Sequence, residues 1–154
     1  MRQAERDEGL IPTVEFKTCP IRASLGVLGK KWTLLILRNI ALARIDRFNQ
    51  IRRSVSGLTS RVLTMRLREL EESGLIKPVV IRERPRLVRW ALTEKGEDTI
   101  PILMSFISFG AKWYSSVVFE DKRPRTLGQL FPAELALLSQ IESRHFRALT
   151  STRE

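Results

Sequence analysis

The chain has 154 residues, with 27 Lys and Arg against 17 Asp and Glu, for a formal charge of +10. That length suits one domain with extensions and a real core, and the charge favours a polyanionic partner. One cysteine excludes an internal disulfide, and one histidine leaves no Cys/His metal spacing.

The first 15 residues are polar, with only Leu10, Ile11 and Val14 to bury, and read as a mobile start to an N-terminal arm over 1–18. Two helices follow, Pro20 to Gly29 and Lys31 to Ala43. Ile21, Leu25 and Leu28 on the first, and Trp32, Leu35, Ile36 and Ile40 on the second, are expected to build the core. Trp32 reads as a core anchor.

Phe48, Ile51 and Val55 then recur at helical spacing, Ser56-Gly57-Leu58 supplies a turn, and a second periodic run extends from Thr59 to Ser73. Two helices around a short glycine-containing turn are the helix-turn-helix signature, although two packed helices of a plain bundle look alike. Thr59 is a good N-cap, and Gly74 can end the helix in the left-handed region. On a helical wheel Leu63, Leu67 and Leu70 share one face with Val62 at its edge, while Arg61, Thr64, Met65 and Arg68 lie opposite. Glu69, Glu71 and Glu72 are confined to the C-terminal half, so the first two turns carry cations and hydrogen-bonding groups with no carboxylate among them. A recognition helix reads bases with that half. Arginine can bond guanine in bidentate fashion, and a threonine methyl or a thioether can meet thymine. An ordinary solvated face is the plainer alternative.

Leu75 to Glu83, Arg84-Pro85-Arg86 and Leu87 to Leu92 read as a β-hairpin, because Val88, Trp90 and Leu92 alternate and Val79 to Ile81 is β-branched. Arg82, Arg84, Arg86 and Arg89 load it with charge. A hairpin placed directly after a recognition helix is a wing, suited to the phosphate backbone or the minor groove. Charge that merely protects a hairpin edge from aggregation is the competing explanation. Across 44–89 there are twelve Lys and Arg against five Asp and Glu, so most of the imbalance falls here. With about four phosphates covered per subunit, a dimer's log-log salt slope would be roughly −7. Arginine outnumbers lysine, which favours forked contacts to phosphate and guanine.

Thr93 is expected to cap one long helix whose apolar residues run from Ile100 through Phe106, Phe109 and Trp113 to Val117. That stripe is too wide for one surface, and a second copy of the chain is the simplest further partner. A membrane span is excluded by the lack of about 18 uninterrupted apolar residues, and no secretory signal is read. Asp121 to Gly128 is a charged linker, and Pro132 can start a last helix with Leu135, Leu138, Ile141, His145 and Leu149 as a dimer seam. His145 reads as a packed or solvent-facing side chain and not a metal ligand.

The residues resemble the HxlR-type winged helix-turn-helix transcriptional regulators. The resemblance rests on Cys19-Pro20, Gly29-Lys30-Lys31-Trp32 with Leu34 to Leu37, Arg47-Phe48-Asn49, Leu63 with Arg66 to Glu71, Gly74-Leu75-Ile76, and Leu92-Thr93-Glu94-Lys95-Gly96. These span about 19 to 117. Lys30 stands where the family usually has a second glycine, and Arg44 where a turn glycine is common. The resemblance implies a mostly α fold with a small β-hairpin: a winged helix-turn-helix domain over 19–117, flanked by N- and C-terminal dimerisation helices, the last within 118–154.

It further implies a homodimer on a two-fold symmetric operator in double-stranded DNA, and recognition helices are expected in successive major grooves about 34 Å apart. The single cysteine points to a reducing, cytoplasmic compartment, and with no Gly-rich phosphate loop, Cys/His metal spacing or nucleophile elbow no enzymatic function is expected. The residues expected at the DNA are Arg47, Arg52, Ser60, Arg61, Thr64, Met65, Arg66, Arg68, Arg84 and Arg86. No cofactor is expected. Some members sense electrophiles or disulfide stress through a cysteine at the Cys-Pro position, which suggests the same for Cys19. Its place at a helix start favours a thiolate, while a small buried thiol is the alternative. One other function competes, an RNA-binding basic module, disfavoured because Phe48 and Trp90 sit at core periods; sensing of a small molecule in a pocket at the dimer helices would be an addition to DNA binding and not a rival.

Overall fold

The computed structural model describes residues 12–134 and residue 140. Among them the order is α1 (Pro20–Leu28), α2 (Thr33–Ala41), α3 (Phe48–Ser54), α4 (Ser60–Glu72), β1 (Ile76–Glu83), β2 (Arg86–Leu92), α5 (Glu94–Glu97), α6 (Ile100–Trp113), α7 (Ser115–Val118) and α8 (Leu127–Leu130). The fold is mostly helical, with one antiparallel hairpin.

The core is built where helical apolar stripes converge. Ile36, Leu37 and Ile40 of α2 meet Ile51 and Val55 of α3, Leu58 of the turn, and Leu63, Leu67 and Leu70 of α4. Leu75, Ile76 and Leu103 close it. Asn39 is a buried polar residue of α2. It is satisfied by donating to Ser54 Oγ at 2.6 Å and accepting from Arg38 at 2.9 Å, which fastens α2 to α3.

α4 begins and ends as its sequence dictates. Thr59 Oγ1 accepts from the Val62 N–H at 3.3 Å. At the other end the Gly74 N–H bonds Glu71 O and the Leu75 N–H bonds Leu70 O, both at 2.9 Å, with Gly74 at φ 73°. This is the Schellman arrangement, and it turns the chain directly into β1. The hairpin is then tied to the same helix end. Thr93 Oγ1 donates to Gly74 O while its own oxygen accepts from the Gly96 N–H, and Lys95 Nζ donates to Ser73 O at 2.6 Å. A Cβ at Gly96 would lie 2.0 Å from Leu75 O, so only glycine permits this closure.

β1 and β2 pair from Ile76↔Leu92 to Glu83↔Arg86, with the register shifting between Val80 and Arg82. The extra residue there increases local twist. β2 is the inner strand, because its Trp90 N–H donates to Asp46 O at 2.8 Å. β1 carries Pro78, which has no N–H to offer, as suits an outer strand.

Three expectations are corrected. α1 buries none of its residues: Ile21 is 69% and Leu25 55% exposed, so they do not build the core, and Leu35 of α2 is also exposed. A helical stripe looks the same whether it faces its own chain or solvent. Thr93 caps only the short α5, and the expected single helix is three segments, α5, α6 and α7. Pro101 explains the first break, since its ring clashes with the carbonyl four residues back and it cannot donate. Asp121 to Gly128 is also more than a linker. The Arg125 N–H reaches Ala111 O at 3.2 Å, Arg125 forks onto Asp121, and Thr126 caps α8, which contains Gly128. The mobile start falls largely, and the last helix almost wholly, outside the described residues.

Candidate nucleic-acid interface

With Leu63, Leu67 and Leu70 buried, helical geometry turns Ser60, Arg61, Thr64, Met65 and Arg68 outward, and all five are exposed. Thr64 Oγ1 donates to Ser60 O at 2.9 Å, so the hydroxyl is occupied by the backbone. The methyl remains available for contact. Arg47 at the start of α3 is exposed, and Arg52 in its last turn is partly so.

At the wing, Arg84 and Arg86 are exposed beside the Arg84-Pro85 turn, and Arg82 Nε donates to Pro85 O at 3.3 Å. Arg89 is not a free wing cation. Its Nε and Nη2 both donate to Asp46 Oδ2, at 2.8 and 2.6 Å, and this bonding raises the guanidinium pKa further.

Arg66 departs most from expectation. Its side chain is 15% exposed, its Nε donates to Lys31 O at 3.0 Å, and its Nη1 meets Glu69 Oε2 at 2.9 Å. A guanidinium so engaged is turned to the protein. Glu69 also takes Lys30 Nζ on Oε1 at 3.0 Å. Hydrogen bonds from Lys30 and then Arg66 outweigh desolvation and hold its carboxyl below the usual range. The acidic half of α4 is therefore partly neutralised from within. Sequence reading missed both internal arrangements. For Asp46 a signal existed, since it is the sole carboxylate between residues 44 and 68 of a strongly basic stretch. For Arg66 the wheel itself held a signal, since at 100° per residue it falls between Leu70 and Val62, inside the edge of the apolar face.

Cys19 precedes α1 with its carbonyl accepting from the Ala23 N–H at 3.0 Å. Its thiol is exposed, so the buried-thiol alternative is corrected. Among the described residues no group of three His, Cys, Asp or Glu could hold a metal, and no helix is long and apolar enough to cross a membrane. His145 lies outside them.

A capped helix with a polar, cationic outer face, set behind a short turn and followed by a charged hairpin, defines a winged helix-turn-helix protein. The profile described as HxlR-like helix-turn-helix matches residues 27–118, more than half of the chain. The chain belongs to this family and is a transcriptional regulator with a helix-turn-helix DNA-binding fold. It is 41% identical over 98 residues, 64% of this chain and 73% of the relative, to an uncharacterized HTH-type transcriptional regulator of Methanothermobacter thermautotrophicus. Among solved structures it is similar to the redox regulator HypR in its oxidized form, at 35% identity, with 60% of this chain and 94% of that chain covered and a TM-score of 0.56. It is also similar to the reduced form of the transcriptional regulator YodB from B. subtilis, at 27% identity, 62% and 94% coverage and a TM-score of 0.53.

Proposed function

We propose that the protein is a sequence-specific regulator that binds a two-fold symmetric operator in double-stranded DNA as a homodimer in the cytoplasm. The observation that carries this reading is the outward strip of Arg61, Thr64, Met65 and Arg68 on α4. These side chains supply a fork for guanine and apolar groups for thymine methyls on the half-helix that enters a major groove. Arg84 and Arg86 serve the flanking backbone or minor groove, and Arg47, Arg52 and Ser60 supply phosphate contacts. Arg66 belongs to the support of α4 and leaves the contact set.

The test is binding of the full chain to a sequence selected from random duplexes, beside a random duplex and a single-stranded RNA of matched length. Arg61→Ala is expected to relax preference at one position per half-site by about 1–3 kcal/mol. Arg86→Ala is expected to weaken all duplexes alike. Equal losses by both variants on both DNAs would mean the helix and wing roles are misassigned. Tighter binding to the RNA would overturn the reading in favour of an RNA module.

The exposure of Cys19 favours a second component, a redox or electrophile response, in keeping with the likeness to the redox regulator HypR. Two Cys19 thiols would give two protons and two electrons to a peroxide and form an intersubunit disulfide. Peroxide should then produce a covalent dimer on a non-reducing gel and change operator affinity, and Cys19→Ser should lose both effects. An unchanged response in that variant removes the idea. A small-molecule effector has a candidate seat in the apolar groove between α1, α2 and α6, about 630 Å³ in volume. Its lining of Leu25, Leu28, Leu35, Ile102 and Phe106 suits an apolar ligand.

A further inference from the structure

The stretch Gly29–Trp32 between α1 and α2 touches the helix-turn-helix at three separate points. Lys30 Nζ meets Glu69 Oε1 at 3.0 Å, Lys31 O accepts from Arg66 Nε at 3.0 Å, and the Trp32 ring lies against the turn, where a Cβ at Gly57 would be 3.4 Å from it. Arg66 and Glu69 are joined to each other at 2.9 Å, which closes a ring of contacts across 39 residues of chain. The junction itself is held in an uncommon shape. Trp32 has φ 77°, a region that an L side chain with a bulky ring rarely adopts, and Lys31 Nζ sits 4.7 Å from the ring centroid. An isolated surface ion pair stabilises little. Here one carboxylate takes cations from two elements, and one of those cations also bonds a backbone carbonyl.

The geometry points to Lys30, Arg66 and Glu69 as positioning residues: they clamp α4 to the α1–α2 junction and so set the angle at which the recognition helix is presented. Arg66 is the hinge pin of the clamp, reaching from α4 to the backbone of the junction. The side chains that read bases then differ from those that aim them, although Arg66 and Glu69 of the clamp share α4 with the reading strip. This rests on the reading of α4 as the DNA-facing helix, but the mechanical coupling can be measured in the free protein.

The experiment uses the full chain with Lys30→Met, Lys30→Arg and Glu69→Gln. Amide hydrogen exchange of the free protein is read first. Lys30→Met should speed exchange about threefold in the second half of α4 while leaving the hairpin unchanged, and Lys30→Arg should restore it. No change in α4 would overturn the clamp. The second readout is the ratio of affinities for a selected operator and a random duplex. Lys30→Met should lower this ratio about fivefold. Equal loss on both duplexes, with a salt slope reduced by about one per subunit, would instead make Lys30 a phosphate contact.

Glu69→Gln separates the two accounts by sign. Removing a negative charge favours every duplex by simple attraction, whereas a loosened clamp lowers the ratio even as random-duplex affinity rises. An unchanged or increased ratio would overturn the proposal. Failure of selection to yield any preferred sequence would count against the sequence-specific function itself, and the exchange data would still decide the clamp.

Discussion

Asp46 fixes the root of the wing with both its backbone and its side chain. Its carbonyl accepts the Trp90 N–H, and its carboxylate accepts two donors from Arg89. An acidic residue in so basic a neighbourhood lowers the attraction for a polyanion, so its presence is explained by what it holds in place. Asp46→Ala should release Arg89 as a free cation and steepen the salt dependence of random-duplex binding by about one unit per subunit. The selected operator should gain less, because the wing loses its fixed angle. Titrating binding against salt for both duplexes checks this, and an unchanged slope would mean Arg89 stays engaged elsewhere.

Arg44 shows how a single position can be legible from a resemblance and explained only by structure. It occupies a site where a glycine is common, and it adopts φ 57°. The backbone of the turn demands that conformation whatever the side chain. The partners of Arg66 were not legible: the wheel sets it between Leu70 and Val62, at the edge of the apolar face, but does not name the Lys31 carbonyl that receives it. Periodicity assigns a residue to a face, and residues at the border of a face are assigned by their partners.

Helix α4 and the hairpin are the elements most fully written in the sequence. Their apolar periods agree with their caps, and each level of pattern supports the same structure. Thr59→Ala is the direct check on the cap. It removes the acceptor for the Val62 N–H and should cost about 1 kcal/mol in urea denaturation, leaving the core intact. A cost near zero would mean that water replaces the hydroxyl.

The elements beyond residue 92 were less legible. The run of apolar residues from Ile100 to Val117 suggests one continuous helix, and the proline that divides it from α5 was outweighed by the stripe. The break at Tyr114 between α6 and α7, at φ −114° and ψ 26°, has no comparable marker; next to it the Ser115 hydroxyl donates to Lys122 O at 3.0 Å. The helix α1 was legible as a helix and not as to what it covers. Its apolar side chains lie along the groove shared with α6.

On the scale of the whole molecule, the two flanks of the core leave large apolar side chains in solvent. Phe106 is 60%, Trp113 66% and Val117 83% exposed, in the same chain as the bare Ile21 and Leu25. Patches of this kind mark contact surfaces. A second copy is the occupant that the proposed palindromic operator would call for, since the symmetry of the protein would then match that of the DNA. Trp113→Glu should shift sedimentation equilibrium toward the monomer and reduce operator affinity at least tenfold, while the folded core persists by circular dichroism. A wild-type chain that remains monomeric at high micromolar concentration would refute the pairing.

The bare aromatic face has a consequence for how such a switch would respond inside a cell. When two dilute chains must meet before either half-site is gripped well, occupancy climbs with the square of their abundance. Under the proposed dimeric function, a modest rise in synthesis, or a modest slowing of breakdown, would then move the target gene across its threshold within a narrow window. Tuning the stickiness of Phe106 and Trp113 would slide that threshold up or down while leaving the sequence that is read untouched.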